Sequence, residues 1–230
     1  MSIKQIMLIT DGESNVGVSP IEVAKIAKKN DIVVNTIGIV KNKDIEEPLR
    51  EVEEVALNGG GICEITSLES LEKVLSMVTV QSIHRTIEEV VNKELREIID
   101  KDIKEISPKE RKKIVEMMDK LGDEVSIKCL MILDTSGSMK YKINVAKRSI
   151  LELFRFLKER SGETEIGIIT YPGEEGFYNI LCDFTQDINY LEEKIEKISI
   201  GGTTPTGPAL EGGIDMILGK EKNVFSEYMV

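Results

Sequence analysis

The chain opens on a nearly continuous apolar run, Ile3 to Thr10, that stops at Asp11-Gly12. Such a run predicts a strand buried on both faces, as in a parallel sheet, ending at a functional loop. Ser19-Pro20 then opens a helix with apolar positions Ile21, Ala24, Ile26 and Ala27, since Ser can cap free N–H groups and Pro tolerates the first turn; Asn30-Asp31 closes it. Ile32 to Val40 is β-branched and apolar, a second strand, followed by a helix from about Ile45 to Leu57 that stops at Asn58-Gly59-Gly60-Gly61. Ile62 to Thr66 makes a short third strand, and Ser67 caps a helix through Leu68, Leu71, Val74, Leu75 and Val78.

From about Ile83 to Gly122 the strand pattern vanishes. Ile83, Ile87, Val90, Val91, Leu95, Ile98 and Ile99 recur at three- and four-residue spacing, one amphipathic helix. Ser107-Pro108-Lys109-Glu110 is a capping box that starts a second helix with Ile114, Val115, Met117, Met118 and Leu121 on its apolar face, so the segment reads as a helical hairpin. Strand pattern returns at Val125 to Leu133, again ending in an acid, Asp134. A helix through Val145 to Leu157 follows. Glu165 to Tyr171 and Phe177 to Phe184 then flank Pro172-Gly173-Glu174-Glu175-Gly176 as an antiparallel pair. A helix from about Ile188 to Ile198 leads into Gly201-Gly202-Thr203-Thr204-Pro205-Thr206-Gly207 and a last helix through Leu210, Ile214 and Ile217. Six strands alternating with helices predict an α/β fold: a Rossmann-like, open, mostly parallel sheet with one antiparallel edge strand and helices on both faces.

Composition narrows the function classes. With 30 basic and 41 acidic residues, net −11, the surface repels phosphate backbones and anionic lipid, so neither nucleic acid nor membrane is an expected partner. No apolar run approaches a bilayer span, and the apolar stretch Ile6 to Ile9 is too short for a signal-peptide core; a cytoplasmic protein is expected. Cys63, Cys129 and Cys182 are an odd number in strand-like runs without a C-x-x-C partner, which reads as reduced, buried thiols. His84, the only histidine, begins a helix outside the loops and is given no role.

The chemistry concentrates at strand ends. Open sheets of this kind place ligands at the edge where strand order reverses, and two strands end there in aspartate, Asp11 and Asp134. Asp134-Thr135-Ser136-Gly137-Ser138 puts a carboxylate and two hydroxyls at alternate positions of one turn, all hard oxygen donors of the kind that suit magnesium. Taken alone, Ser136 or Ser138 is equally a cap for the following helix, and the 201–207 loop a flexible helix start. That loop is not a phosphate loop, because no Lys-Ser or Lys-Thr follows its glycines.

Together, Asp-x-Ser-x-Ser at Asp134, Ser136 and Ser138, the Thr-Pro-Thr-Gly loop and Asp11-Gly12 resemble the von Willebrand factor A domain with its metal-ion-dependent adhesion site. The resemblance implies one divalent metal held by Asp134, Ser136, Ser138, Thr204 and Asp11, with Thr203 an alternative to Thr204. In that family hydroxyls dominate the ligand set and at least one aspartate often stands behind them. The metal implied is Mg2+, with Mn2+ or Ca2+ as alternatives, and the partner a protein offering Glu or Asp to it, without catalysis. The order departs from the family, since Asp-Gly comes first here. Residues 125 to 218 resemble the family's first half and residues 3 to 80 its second, a circular permutation. The organisation expected is residues 1–82, a helical hairpin linker 83–122, and residues 123–230, together one domain.

Competing readings remain open at this point. A magnesium phosphatase of the haloacid dehalogenase type also places Asp at a strand end, but needs a second acid where Ser136 stands. The chain is also readable as a slice of a tandem array, with Asp11 pairing to another chain, which leaves monomer and swapped dimer both open. Glu13 and Ser14 are candidates for tuning the site or touching a partner.

Overall fold

The computed structural model describes residues 2–40 and 50–220; the first residues of the helix expected from about Ile45 lie outside these. The first half of the chain alternates β1 (Ser2–Thr10), α1 (Pro20–Lys29), β2 (Ile32–Ile39), α2 (Arg50–Asn58) and β3 (Gly60–Thr66). The long helix α3 (Leu71–Ile99) and α4 (Pro108–Glu124) form the hairpin. The second half runs β4 (Ser126–Asp134), α5 (Ile143–Lys158), β5 (Thr164–Tyr171), β6 (Asn179–Thr185), α6 (Ile188–Glu196) and α7 (Thr206–Leu218). The six strands form one sheet in the order β3-β2-β1-β4-β5-β6, parallel throughout except for the antiparallel edge pair β5–β6. Among the described residues no helix is long and apolar enough to cross a membrane.

The apolar runs become two faces of the sheet, because successive side chains of a strand point to opposite sides. Ile6 and Leu8 of β1, with Leu130 and Ile132 of β4, pack under α1 and α7, whereas Met7, Ile9, Met131 and Leu133 pack under α3 and α5. Covering both faces explains why these strands show no polar alternation. β1 and β4 lie side by side at the centre with Ile9 opposite Leu133, so both strands end at the same edge. From this pair the chain winds outward to β3 on one side and β6 on the other, making the β1/β4 boundary the point of order reversal.

The structure corrects several local expectations. The helix after β3 and the first arm of the hairpin are a single helix, unbroken through residues 79–82. The polar residues there do not end it, because their hydroxyls find partners. Thr79 Oγ1 donates to the Leu75 carbonyl at 2.8 Å, and Ser82 Oγ accepts from the buried Asn35 amide at 3.0 Å. Neither Ser19 nor Ser67 makes a side-chain capping bond, and a 3-10 turn, Leu68–Ser70, separates Ser67 from α3. The capping box at Ser107 and Glu110 is present in both directions. Thr206 and Gly207, expected in the loop, are the first residues of α7. Cys129 and Cys182 are buried, Cys63 only partly so, and all three are free thiols. Burial pushes the Cys129 thiol up to about 12, which leaves it protonated and unreactive at neutral pH.

Arg160 ties the hairpin to the sheet. Its guanidinium donates to the carbonyls of Gly122, at 2.7 Å, and Val125, at 2.8 Å, fixing the chain where α4 turns into β4. At the opposite edge, the start of α7 lies against the loop after β1. A Cβ on Gly207 would stand 1.8 Å from the Val18 carbonyl oxygen, so only glycine permits this approach. Gly207→Ala should therefore force backbone apart and lower unfolding free energy by about 1–3 kcal/mol. Gly12→Ala, where a Cβ meets nothing within 4 Å, should change it by less than about 0.5 kcal/mol. Urea denaturation of both variants checks the contrast.

Candidate metal centre

Asp134 ends β4 with its side chain wholly buried. One carboxylate oxygen, Oδ2, accepts the Thr10 hydroxyl from the end of β1 at 2.7 Å. The other, Oδ1, accepts the backbone N–H of Ser136 at 2.8 Å, which bends the chain back immediately after the strand. That turn sets the Ser136 and Ser138 hydroxyls 3.1 Å apart. Ser138 then donates to Asp11 Oδ1 at 2.7 Å, across the β1/β4 boundary. Four of the five expected residues are thus joined in one hydrogen-bonded chain: Asp134, Ser136, Ser138 and Asp11.

Thr204 is brought alongside by its backbone. Its N–H donates to Asn15 Oδ1 at 2.9 Å, and its carbonyl accepts from the Asn15 N–H at 3.1 Å and from the Ser14 hydroxyl at 3.2 Å. Gly201 N–H donates to the Thr135 carbonyl at 2.9 Å, a second tie between the glycine-rich loop and the serine turn. Thr204 is buried and Thr203 exposed. Ser14, one of the two residues noted after Asp11-Gly12, therefore serves the loop clasp, whereas Glu13 is exposed. The Ser14 N–H is held in turn by Glu51 Oε1 at 2.6 Å. His84 lies away from these loops, 3.9 Å from Asp119 across the hairpin.

Three contributors had no motif to announce them. Thr10 looks in sequence like the polar end of an apolar strand, and Asn15 like a solvated loop residue. Lys142, in the turn between Ser138 and α5, is buried, and its ammonium stands 2.7 Å from Asp11 Oδ2 and 3.3 Å from the Ile39 carbonyl. A lysine at a helix start gives no sign in sequence of pointing inward. Removing one partner of such a buried pair typically costs about 3–5 kcal/mol, because the other charge is left unpaired.

The donor set is entirely oxygen. Among the described residues no group of three or more His, Cys, Asp or Glu side chains could hold a metal ion, so any site here depends on hydroxyls joining the two carboxylates. Beside Asp134, the buried Tyr171 hydroxyl approaches those of Thr10 and Thr206 without an aligned hydrogen bond, and Thr206 Oγ1 is likewise unpartnered. Hard oxygen donors with unsatisfied polar atoms behind them fit a hard divalent ion.

These features define an open α/β domain with an acid-and-hydroxyl site at its point of order reversal. Residues 129–226 and, separately, residues 2–77 match the von Willebrand factor type A domain, and the chain belongs to that family. The two matches fall in one sheet, with most of the hairpin between them, as in a circularly permuted domain. The chain is 37% identical over 211 residues to the uncharacterized protein YabS of Bacillus subtilis (strain 168), covering 90% of this chain and 86% of that protein. It also superposes with a TM-score of 0.87 on the crystal structure of an uncharacterized protein from Alicyclobacillus acidocaldarius subsp. acidocaldarius DSM 446. That protein is 35% identical, with 95% of this chain and 94% of that one covered.

Burial lifts the Asp134 carboxyl above its ordinary value; the hydrogen bonds from Thr10 and Ser136 oppose the shift and the Asp11 charge adds to it. The folded state therefore holds this proton more tightly than the unfolded chain. The associated stability is fully present below the unfolded value, about 4, and is lost as pH rises through the raised folded value. In Asp134→Asn the amide oxygen still accepts from Ser136 N–H and its NH2 can donate to Thr10. In chelator at neutral pH this variant should melt higher than the parent, about 2–4 °C for each kcal/mol gained, and the gap should close as pH falls towards 4. A variant that melts lower than the parent at neutral pH would contradict the sign.

Proposed function

We propose that this chain is a metal-dependent protein-interaction module, with Ser136, Ser138 and Thr204 supplying hydroxyl oxygens to a divalent cation and Asp134 and Asp11 supplying the negative charge around it. The observation that carries this reading is the hydrogen-bonded run from Asp134 through Ser136 and Ser138 to Asp11, which joins hydroxyls from one half of the chain to a carboxylate from the other. Magnesium suits such a set best, because it takes hard oxygen ligands and retains positions for others; manganese and calcium are alternatives. When bound, the ion offers an incompletely neutralised positive charge that attracts an acidic oxygen from a partner protein. The serine turn lies open to that partner, with Ser138 exposed and Asp134 buried behind it.

Catalysis by Asp134 is disfavoured on geometry. A phosphatase-type nucleophile must reach the phosphorus atom of its substrate, and the Asp134 side chain is wholly buried. Position 136, where that chemistry needs a second acid, is serine.

Calorimetric titration of manganese and magnesium into chelator-treated protein tests the proposal. One binding site is expected in the parent, weakened at least about tenfold in Ser138→Ala and in Asp11→Ala, on the scale of removing one ligand or its orienting partner. Circular dichroism should show both variants folded. No binding in the parent, or unchanged affinity in both variants, would sink the metal-dependent reading.

A further inference from the structure

The Lys142 ammonium is an unusual neighbour for a cation site. It is almost wholly buried, lies against Asp11 Oδ2 at 2.7 Å, and reaches the Ile39 carbonyl at the end of β2 at 3.3 Å. Asp11 is shared: one oxygen accepts from Ser138, the other from Lys142. An apolar side chain of similar length would fill the same space without the desolvation cost of an ammonium. The charge also works against a dication that would share Asp11 with it.

We propose that Lys142 sets the ligand selectivity of this centre: its fixed positive charge, held on Asp11, prevents the site from being neutralised from within, so that the loaded site captures a carboxylate. Two carboxylates and one ammonium leave the bare site with one net negative charge, and a dication turns it singly positive. Without the ammonium, Asp11 and Asp134 neutralise the dication themselves and the pull on an outside acid falls. Lys142 thus weakens metal binding and strengthens acid binding by its charge, which Asp11 holds in place. This rests on the metal-binding reading above.

The test compares manganese affinity, by calorimetry, in the parent and Lys142→Met. Because Lys142→Met leaves Asp11 unpaired, a second comparison sets Asp11→Asn, which keeps only the ammonium of the pair, against Asp11→Asn/Lys142→Met, in which neither charge remains. In each comparison, loss of the lysine should tighten manganese binding about tenfold or more, the scale on which a nearby like charge shifts a binding equilibrium. Structural damage would weaken binding instead. With manganese loaded, acetate should lower the water-proton relaxation enhancement of the parent by displacing coordinated water, and should do so several-fold less readily in Lys142→Met. Unchanged or weaker metal affinity in both comparisons overturns the proposal, as does acetate acting equally on parent and variant. A parent that binds no manganese overturns the underlying metal reading instead.

Discussion

The parallel pairing of β1 with β4 joins strands whose facing ends, Thr10 and Asp134, are 124 residues apart in sequence. Because both strands run the same way and end level, the loops that follow them meet at one point. The Thr10 hydroxyl on the Asp134 carboxylate fixes that meeting at atomic distance, and both side chains are buried, where such a bond is strengthened. The turn at Ser136, the approach of Ser138 to Asp11 and the placement of Lys142 all depend on this register. A slip of one residue would turn the side chains of β1 to the opposite face and separate the two aspartates.

The surrounding loops are held by hydrogen bonds to their backbone groups. Asn15 grips the amide and carbonyl of Thr204 together, Gly201 binds Thr135, and Glu51 anchors Ser14. The Asn15 grip on Thr204 crosses between the two halves, so the glycine-rich loop, flexible by composition, is placed from outside itself. The same arrangement has a cost in the bare protein, because Asp134 is buried where its ionised form is disfavoured and Lys142 must be desolvated. Sites prepared for a ligand often carry such instability.

Much of the architecture was legible because covered parallel strands leave unbroken apolar runs, each here ending at a polar loop. The acidic ends of β1 and β4 and the Asp-x-Ser-x-Ser spacing pointed to one edge, and the structure joins Asp134, Ser136, Ser138 and Asp11 there. The unbroken course of α3 was not legible, since Thr79 and Ser82 interrupt the apolar spacing and the bonds that satisfy their hydroxyls depend on Asn35 and the helix itself. Nor were Lys142 and Asn15, whose roles arise only from tertiary proximity. Thr204 was legible by its loop, although what holds that loop in place was not.

The proposed function requires one metal centre assembled from both halves across the β1/β4 boundary. Titrating Mn2+ into isotope-labelled protein and following paramagnetic broadening of backbone amides tests it most directly. The amides of Gly12 to Asn15, Ser136 to Met139 and Thr204 are expected to broaden first and together. Broadening confined to one of these loops, or appearing first on the acidic helical surface around Glu88 and Glu89, would contradict it.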